Sequence, residues 1–333
     1  MKPFAYARPR DDAELFALLS EKARPKGGGI DLLDLAKAGL PVPGILLDLR
    51  ANVAERPMTR IQVVEDARTR TQDVMVGASV TLAALAGSSE VRDRCPAFAE
   101  AAAEAATPPI RNVATVAGNL LQRPRCVYFR DPFFDCLKRG GKSCPSMEGD
   151  HAEGAIFGNG KCCATHPSNL ATALVALDGT LHLQAKPEGE GSQRKADGFF
   201  VPPEEDPLRE TRLGAGEILR MVQVPLCRNS AYLEVNQKRS FDWASVSCAV
   251  ALQLDGAKVQ SARVVLGAVA PVPWIAKEAG EALAGRVPDE AAARAAAEAA
   301  VKGATPLRDN GHKVAQAKAL VRRAILLAAG RGK

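Results

Sequence analysis

The chain has 333 residues, of which 47% are hydrophobic and 25% charged, an ordinary composition for a globular protein of two or three domains. Its formal charge of +6 is well short of a nucleic-acid-binding signature, and no apolar stretch reaches the roughly 18 residues that a membrane helix needs. The first ten residues lack the apolar core of a signal peptide, so we expect a cytoplasmic chain, or a periplasmic one if a partner subunit carries the export signal.

The first third of the chain is predicted to alternate strands and helices. Short apolar runs indicate strands, and apolar residues at helical spacing indicate helices. The expected strands are 3–7, 45–49, 61–65 and 73–77, the last two paired; the expected helices are 11–20, 32–37, one starting at 81 with Thr81 or Ser79 as its cap, and 95–106. We find no internal repeat.

A second set of elements follows residue 169. The pattern predicts an apolar helix over 170–177, a strand over 180–184, a surface loop over 186–196 and a break at 202–206, with a domain boundary near 225–230. Beyond the boundary, 249–254 and 262–267 alternate like sheet strands, while 289–302 and 313–330 are alanine-rich helices. We therefore expect a smaller C-terminal sheet with terminal helices.

Three consecutive glycines, Gly27 to Gly29, precede the helix predicted over 32–37. Bare backbone lets a ligand approach closely, and exposed amides at such a turn suit an anion such as pyrophosphate. However, the run forms neither a GxGxxG fingerprint nor a P-loop. The glycines by themselves favour a plain flexible turn.

Five of the eight cysteines fall in one loop-like stretch, as Cys126, Cys136, Cys144, Cys162 and Cys163. Their neighbours are loop sequences, which favours metal ligation over scattered core cysteines, and thiolates select zinc, Cu(I) or iron–sulfur clusters. No standard zinc or ferredoxin spacing is matched, so these residues leave zinc and iron–sulfur open. The remaining cysteines, Cys95, Cys227 and Cys248, are predicted to be core residues.

The cysteine stretch is also basic. Residues 122–143 contain six lysines and arginines against two aspartates. One explanation is a basic loop exposed to solvent. The other is a loop that offsets the negative charge of a thiolate-bound cluster or docks an acidic partner, and the first explains the charges equally well.

Two polar loops flank the cysteines. The first offers Thr115, Gly118 and Asn119, and the second offers Thr165, Ser168 and Asn169 just before the apolar helix. Hydroxyls and amides bind phosphate and ribose oxygens without charge, although each residue taken alone is more typical of a helix cap or turn. His166, in the second loop, is predicted to be structural.

At these residues the sequence resembles the FAD-binding subunits of molybdenum hydroxylases, the group of xanthine dehydrogenases, aldehyde oxidoreductases and carbon monoxide dehydrogenases. The resemblance covers essentially the whole chain. The first flavin-loop pattern of the family falls on Gly27–Asp31, the second on Ile110–Asn119, and a Ser-Asp pair before an apolar helix on Ser168 and Asn169; Leu266–Pro271 resembles a C-terminal signature. The second loop is the most specific of these matches.

The resemblance implies an α+β fold. Residues 1–226 would form a two-subdomain FAD-binding domain of the vanillyl-alcohol-oxidase/PCMH type, divided near residue 55 and carrying an insert at 122–163. Residues 227–333 would form a C-terminal sheet-and-helix domain of the carbon monoxide dehydrogenase flavoprotein type. The implied FAD contacts are Lys26, Gly27, Gly28, Gly29, Ile30, Asp31, Leu32, Thr115, Gly118, Asn119, Thr165, Ser168 and Asn169.

The cysteine insert is most similar to that of periplasmic aldehyde oxidoreductase flavoproteins, where it carries a [4Fe–4S] cluster. The implied ligands are Cys126, Cys136, Cys144 and Cys162, with Cys163 as the alternative fourth ligand. The clustered insert of 4-hydroxybenzoyl-CoA reductase flavoproteins matches more loosely.

Three residues depart from the family pattern. Ile30 stands where Thr is usual, Asn169 replaces the usual Asp, and Glu234 stands near a position where relatives often have Lys. These departures bear on flavin affinity or potential rather than on the fold.

The resemblance implies an electron-transfer subunit. Electrons from substrate oxidised on a molybdenum-cofactor subunit would pass through the [2Fe–2S] centres of a second subunit to FAD here, and then to an external acceptor. The assembly would be a heterotrimer or its multiple, with no nucleic acid or membrane partner and no catalytic acid–base residues on this chain. Two alternatives stay open: a self-contained flavin oxidoreductase of the vanillyl-alcohol-oxidase type, and a zinc-stapled nucleotide-binding scaffold.

Overall fold

The computed structural model describes residues 2–20, 22–41, 44–50, 57–65, 72–238 and 241–330. The strands are β1 (Ala5–Ala7), β2 (Ala23–Lys26), β3 (Ile45–Asp48), β4 (Ile61–Glu65), β5 (Gln72–Gly77), β6 (Thr180–Gln184), β7 (Ser192–Lys195), β8 (Ile218–Val224), β9 (Ser230–Asn236), β10 (Ala244–Asp255), β11 (Lys258–Gly267) and β12 (Trp274–Ile275). The helices are α1 (Asp12–Leu18), α2 (Ile30–Lys37), α3 (Leu82–Gly87), α4 (Ser89–Arg94), α5 (Pro96–Glu104), α6 (Pro108–Arg111), α7 (Val116–Leu120), α8 (Val127–Arg130), α9 (Asn169–Ala176), α10 (Lys277–Leu283), α11 (Glu290–Ala300) and α12 (His312–Gly330). The subdomain boundary expected near residue 55 lies outside the described residues.

The first sheet is small and parallel, in the order β1-β3-β2. Parallel neighbours need crossover connections, and α1 and α2 supply them. Lys26, the last residue of β2, lies in register with Asp48, the last residue of β3. The triple-glycine turn follows Lys26 directly, so it lies at the carboxyl edge of the sheet, where α/β sheets bind ligands.

The second sheet is antiparallel, in the order β4-β5-β8-β6-β7. The predicted pairing of 61–65 with 73–77 is confirmed, as is the cap of α3, where the Thr81 side chain accepts from the Ala84 amide. The expectation of a loop throughout 186–196 is wrong for Ser192–Lys195, which pairs with β6 as an edge strand. Its side chains are polar and mostly exposed, so they show no apolar alternation.

The third sheet is antiparallel, in the order β12-β11-β10-β9. Helices α10, α11 and α12 cover one face, as expected for a C-terminal sheet with terminal helices. The buried face of α11 consists of alanines, whose small side chains let the helix pack closely against α12. The predicted α+β class is confirmed.

Helix α9 packs against both halves of the molecule. All eight of its residues are buried, and it contacts α5 on one side and strands β10 and β11 on the other. Six of its eight residues are apolar, which is typical of a helix buried on several sides. The amino-terminal end of α9, with Ser168 and Asn169, is thereby fixed between the N-terminal part and the C-terminal sheet. Within the described ranges, no helix is long and apolar enough to cross a membrane.

Candidate functional site

The triple-glycine turn packs directly against the polar loop that precedes α7. A Cβ on Gly27 would lie 2.6 Å from Thr115 Oγ1, and one on Gly28 would lie 2.2 Å from the Val113 carbonyl oxygen. Real Cβ atoms do not approach so closely, so both positions require glycine. The turn is therefore a packed junction rather than the plain flexible turn that the glycines alone favoured.

The same turn starts helix α2 without a side-chain cap. Gly29 has φ +77°, a left-handed conformation that glycine adopts without strain, and no side chain accepts from the first helical amides. The amides at Ile30, Asp31 and Leu32 are thus the unsatisfied groups of a helix amino terminus. Such a terminus offers hydrogen bonds and a favourable dipole to a phosphate group.

The two polar loops that flank the cysteines are joined through Asn119. Its Oδ1 accepts hydrogen bonds from Ser168 Oγ at 2.7 Å and from the Leu170 amide at 3.2 Å. Thr115 Oγ1 caps α7 by accepting from the Gly118 amide, and Ser168 Oγ caps α9 by accepting from the Ala171 amide. The three predicted flavin loops are therefore in contact with one another, and Thr165 of the third loop is half-buried.

Lys26 and Asp48 form a buried pair beneath the glycine turn. Lys26 Nζ lies 3.7 Å from Asp48 Oδ1 and donates to the Gly27 carbonyl at 3.3 Å. Burial acts to raise the pKa of Asp48, but hydrogen bonds from the Tyr6 hydroxyl and the Arg50 amide, with the charge of Lys26, lower it overall. The pair holds a fixed cation at the edge of the sheet.

The carboxylate of Asp31 is hydrogen-bonded to residues of the cysteine insert. It accepts from the Arg123 amide at 3.0 Å and from the guanidinium groups of Arg125 and Arg130. Arg125 also stacks on the ring of Trp243 in the C-terminal part, 4.4 Å from its centroid. The insert arginines are therefore tied to neighbouring elements instead of forming a solvated loop. Sequence reasoning missed this contact because nothing in the sequence links Asp31 to Arg125.

The five clustered cysteines are brought together. Cys144 Sγ and Cys163 Sγ are 3.8 Å apart, and Cys126 packs against the small apolar cluster that contains Cys136. Hydrogen bonds from Cys162 and Cys163 lower the pKa of Cys144, whereas burial raises the pKa of Cys126 and Cys136. Cys95 and Cys248 are buried core residues as predicted, and Cys227 is partly buried.

The five thiols are the donor type that a thiolate-bound metal centre would need. In the part of the chain that the structure describes, no three His, Cys, Asp or Glu side chains are grouped so as to hold one metal ion. In a [4Fe–4S] cluster, however, each of four thiolates binds a different iron, so the ligands need not meet at one point.

Two buried lysines flank the cysteines. Lys138 pairs with Glu210 at 3.3 Å and donates to the Pro207 carbonyl. Lys313, at the start of α12, has no exposed surface and donates to the carbonyls of Glu153, Gly154 and Ala268. Burial lowers the pKa of Lys313 to about 8, while the charges of Glu153 and Cys163 oppose this. Both lysines are suited to compensate the negative charge of thiolates.

His166 is buried, as predicted for a structural residue. Its Nδ1 accepts from the Ser168 amide at 3.4 Å, and its Nε2 has no hydrogen-bond partner among the described atoms. Burial lowers the pKa of His166 to about 3, so the ring is neutral at pH 7.

Two of the residues that depart from the family pattern touch each other. Asn169 Nδ2 donates to Glu234 Oε2 at 2.6 Å, and Glu234 also accepts from Tyr232 and Asn236. Burial raises the pKa of Glu234 to about 7. Sequence reasoning singled out both positions but gave no signal that they are in contact. Ile30, the third departure, is largely exposed at the start of α2.

The architecture is that of an FAD-binding subunit of an oxidoreductase. The chain belongs to the family described as the FAD binding domain in molybdopterin dehydrogenase, which matches residues 2–227, and the carbon monoxide dehydrogenase flavoprotein C-terminal domain matches residues 231–328.

Among curated relatives, the chain is 36% identical over 282 residues to the aldehyde oxidoreductase FAD-binding subunit PaoB of Escherichia coli K12, covering 82% of this chain and 84% of PaoB. It is 28% identical to the carbon monoxide dehydrogenase medium chain of Afipia carboxidovorans, covering 99% and 98% of the two chains. Among solved structures, a Cu,Mo-CO dehydrogenase chain aligns with TM-score 0.73 at 26% identity, over 99% of this chain and all (100%) of the other. A chain of quinoline 2-oxidoreductase from Pseudomonas putida 86 aligns with TM-score 0.72 at 27% identity, over 99% of each.

Proposed function

We propose that this chain is the electron-transfer flavoprotein subunit of a molybdenum-containing aldehyde or xanthine-type oxidoreductase, carrying FAD and a [4Fe–4S] cluster. The observation that carries the proposal is the joining of three flavin-type loops beside five clustered cysteines. When bound, FAD converts between one- and two-electron transfer. The chain itself contributes binding, orientation and electrostatics.

The glycine turn and the start of α2 would hold the pyrophosphate. Gly27, Gly28 and Gly29 leave the backbone bare, and the uncapped amides at Ile30, Asp31 and Leu32 offer hydrogen bonds to an anion. Lys26 adds positive charge beneath the turn. The carboxylate of Asp31 would act by anchoring the insert, because its oxygens already accept from three arginines.

The second and third loops would hold the remaining polar parts of the cofactor. Their exposed or half-buried groups are Gly118 and Thr165, while Thr115, Asn119, Ser168 and Asn169 are buried or act as caps and links. Asn119 keeps the two loops at a fixed separation, so the binding surface is organised before the cofactor arrives. Preorganisation of this kind lowers the entropic cost of binding.

Cys126, Cys136 and Cys144 would be three cluster ligands, and Cys162 the fourth. Cys163 is the alternative, because its Sγ is 3.8 Å from that of Cys144. A serine at the true ligand position should remove the cluster, so Cys162→Ser should lose iron while Cys163→Ser keeps it. Iron content and visible absorption of the two variants measure this, and the opposite pattern would assign Cys163.

The partners would be a molybdenum-cofactor subunit and a [2Fe–2S] subunit, in a heterotrimer or its multiple. The similarity to an FAD-binding subunit of an aldehyde oxidoreductase and to medium chains of carbon monoxide dehydrogenases supports a multi-subunit assembly. Substrate oxidation would then take place on the molybdenum subunit, in the cytoplasm or, after joint export, in the periplasm.

Iron, acid-labile sulfide, zinc and flavin content of the full chain, purified anaerobically, tests the proposal. We expect about four iron, four sulfide and one FAD per chain. Zinc without sulfide would indicate that the cysteines hold a structural zinc ion instead of a cluster. Oxidation of an aldehyde by the isolated chain would exclude the subunit function and favour a self-contained flavin oxidoreductase.

A further inference from the structure

The carboxyl group of Glu234 lies where the third flavin-type loop meets the C-terminal sheet. It accepts hydrogen bonds from three neutral donors: Asn169 Nδ2 at 2.6 Å, Tyr232 Oη at 2.7 Å and Asn236 Nδ2 at 3.0 Å. No lysine or arginine of the described residues lies within ion-pair distance of it. Within the described ranges, Glu234 is therefore a carboxyl group held by neutral donors alone.

The contact determines the orientation of the Asn169 side chain. An ionised carboxylate can only accept, so Asn169 turns its NH₂ group towards the charged form of Glu234. Its Oδ1 then faces away and has no hydrogen-bond donor in the described part of the chain. The next residue back, Ser168, is bonded to Asn119 at 2.7 Å, so this free oxygen belongs to the joined loops.

We infer that Glu234 is a positioning residue of the flavin site, which orients Asn169 so that Oδ1 is left to accept from the bound cofactor, and which places an ionisable negative charge beside it. The inference rests on the proposed function, since it concerns the same site. It assigns one shared task to two positions that lie 65 residues apart.

The surroundings allow this charge to change near neutral pH. Burial raises the pKa of Glu234 to about 7, and the charge of Glu104 on α5 adds to the rise, whereas hydrogen bonds from Tyr232 and Asn236 oppose it. Glu234 lines a cavity of about 330 Å³ that Glu104, Arg111 and Lys238 also line. Arg111 is engaged by the Ala105 and Ala106 carbonyls, and Lys238 pairs with Asp242. Both of these cations are thus engaged by other partners.

The test compares FAD dissociation constants and flavin reduction potentials of full-length variants. Glu234→Gln should raise the potential, because removal of a negative charge favours the addition of electrons, and it should flatten the fall of the potential across pH 7. Asn169→Asp would face one carboxylate with another, so we expect about tenfold weaker FAD binding. Glu104→Gln, which removes a carboxylate from the same cavity without touching Asn169, is the matched control.

The double variant Asn169→Asp with Glu234→Lys separates a loss of positioning from general damage to the fold. A lysine can donate to the new aspartate, so the double variant should regain most of the FAD affinity lost by Asn169→Asp. Additive losses, or equal potentials for Glu234→Gln and Glu104→Gln, would overturn the inference while the proposed function stands. Absence of FAD from the wild-type chain would instead overturn the proposed function, and the inference with it.

Discussion

At the residue scale, glycine is needed at the three positions of the first loop for different physical reasons. Gly29 needs its left-handed φ of +77°, while Gly27 and Gly28 are required by the atoms that their missing side chains would meet. The sequence alone could not separate these reasons from simple flexibility, because the close neighbours, Thr115 and Val113, are more than 80 residues away.

Gly28→Ala should force the first loop away from the Val113 carbonyl, which a Cβ would approach to 2.2 Å. Overpacking of this kind costs about 1–3 kcal/mol of stability, and displacement of the loop should lower the FAD content. Urea unfolding and flavin content measure the two effects. The control Gly87→Ala, at a position with no atom within 4 Å, should leave both near the wild-type values.

His166 should make the protein sensitive to acid. Its pKa is lowered to about 3 by burial, against about 6.5 in the unfolded chain. As the pH falls, the unfolded chain therefore takes up a proton on His166 before the folded protein does. The free energy of unfolding is unaffected by this residue above about pH 6.5 and decreases as the pH falls from about 6.5 towards 3. The loss at pH 5 should be about 2 kcal/mol.

His166→Gln, which keeps a side-chain acceptor for Ser168, should remove this part of the acid sensitivity. Chemical denaturation at pH 7 and pH 5 gives the change in unfolding free energy for both proteins. If the variant loses as much stability as the wild type between these pH values, His166 is not the group responsible.

At the scale of elements, α12 holds the cysteine insert in place. Lys313 reaches from the first turn of the helix to the carbonyls of Glu153 and Gly154 in the insert and of Ala268 beyond β11. The α12 helix was predictable from its composition, but this contact was not, since a lysine is ordinarily exposed.

Lys313→Met should destabilise the fold by about 3 kcal/mol, because buried carbonyls lose their donor. The insert should also become easier to cleave, which limited proteolysis between residues 146 and 160 would detect. Lys318→Met, on the same helix but paired with Glu298 at the surface, should change stability by no more than about 0.5 kcal/mol. Equal effects of both substitutions would argue against a specific stabilising contact between Lys313 and the insert.

At the scale of the whole molecule, Asn119 joins loops that lie about 50 residues apart in the sequence. Asn119→Ala would leave the Leu170 amide and the Ser168 hydroxyl without their acceptor and should cost about 1–3 kcal/mol. Asn119→Asp keeps the acceptor oxygen, so it should retain more stability and more FAD than the alanine variant. Thermal unfolding with and without added FAD would reveal the difference, and identical behaviour of the two variants would contradict it.

Most of the architecture could be predicted because helix and strand patterns are local. Periodicity and capping residues indicated α3, α9, the β4–β5 pair and the C-terminal helices. Strands β2, β8, β9 and β12 were not predicted. The edge strand β7 also escaped prediction, since its exposed polar side chains give no such signal. The family resemblance further indicated which loops carry flavin-type residues.

The sequence by itself determined the class of fold, the composition of the loops and the presence of a clustered thiol set, because these depend on neighbouring residues. Only the tertiary structure decided which of these groups meet. Asp31 meets Arg125 across 94 residues, and Asn169 meets Glu234 across 65. Such contacts arise from the packing of whole sheets, helices and loops against one another, and a single sequence holds no direct record of that packing.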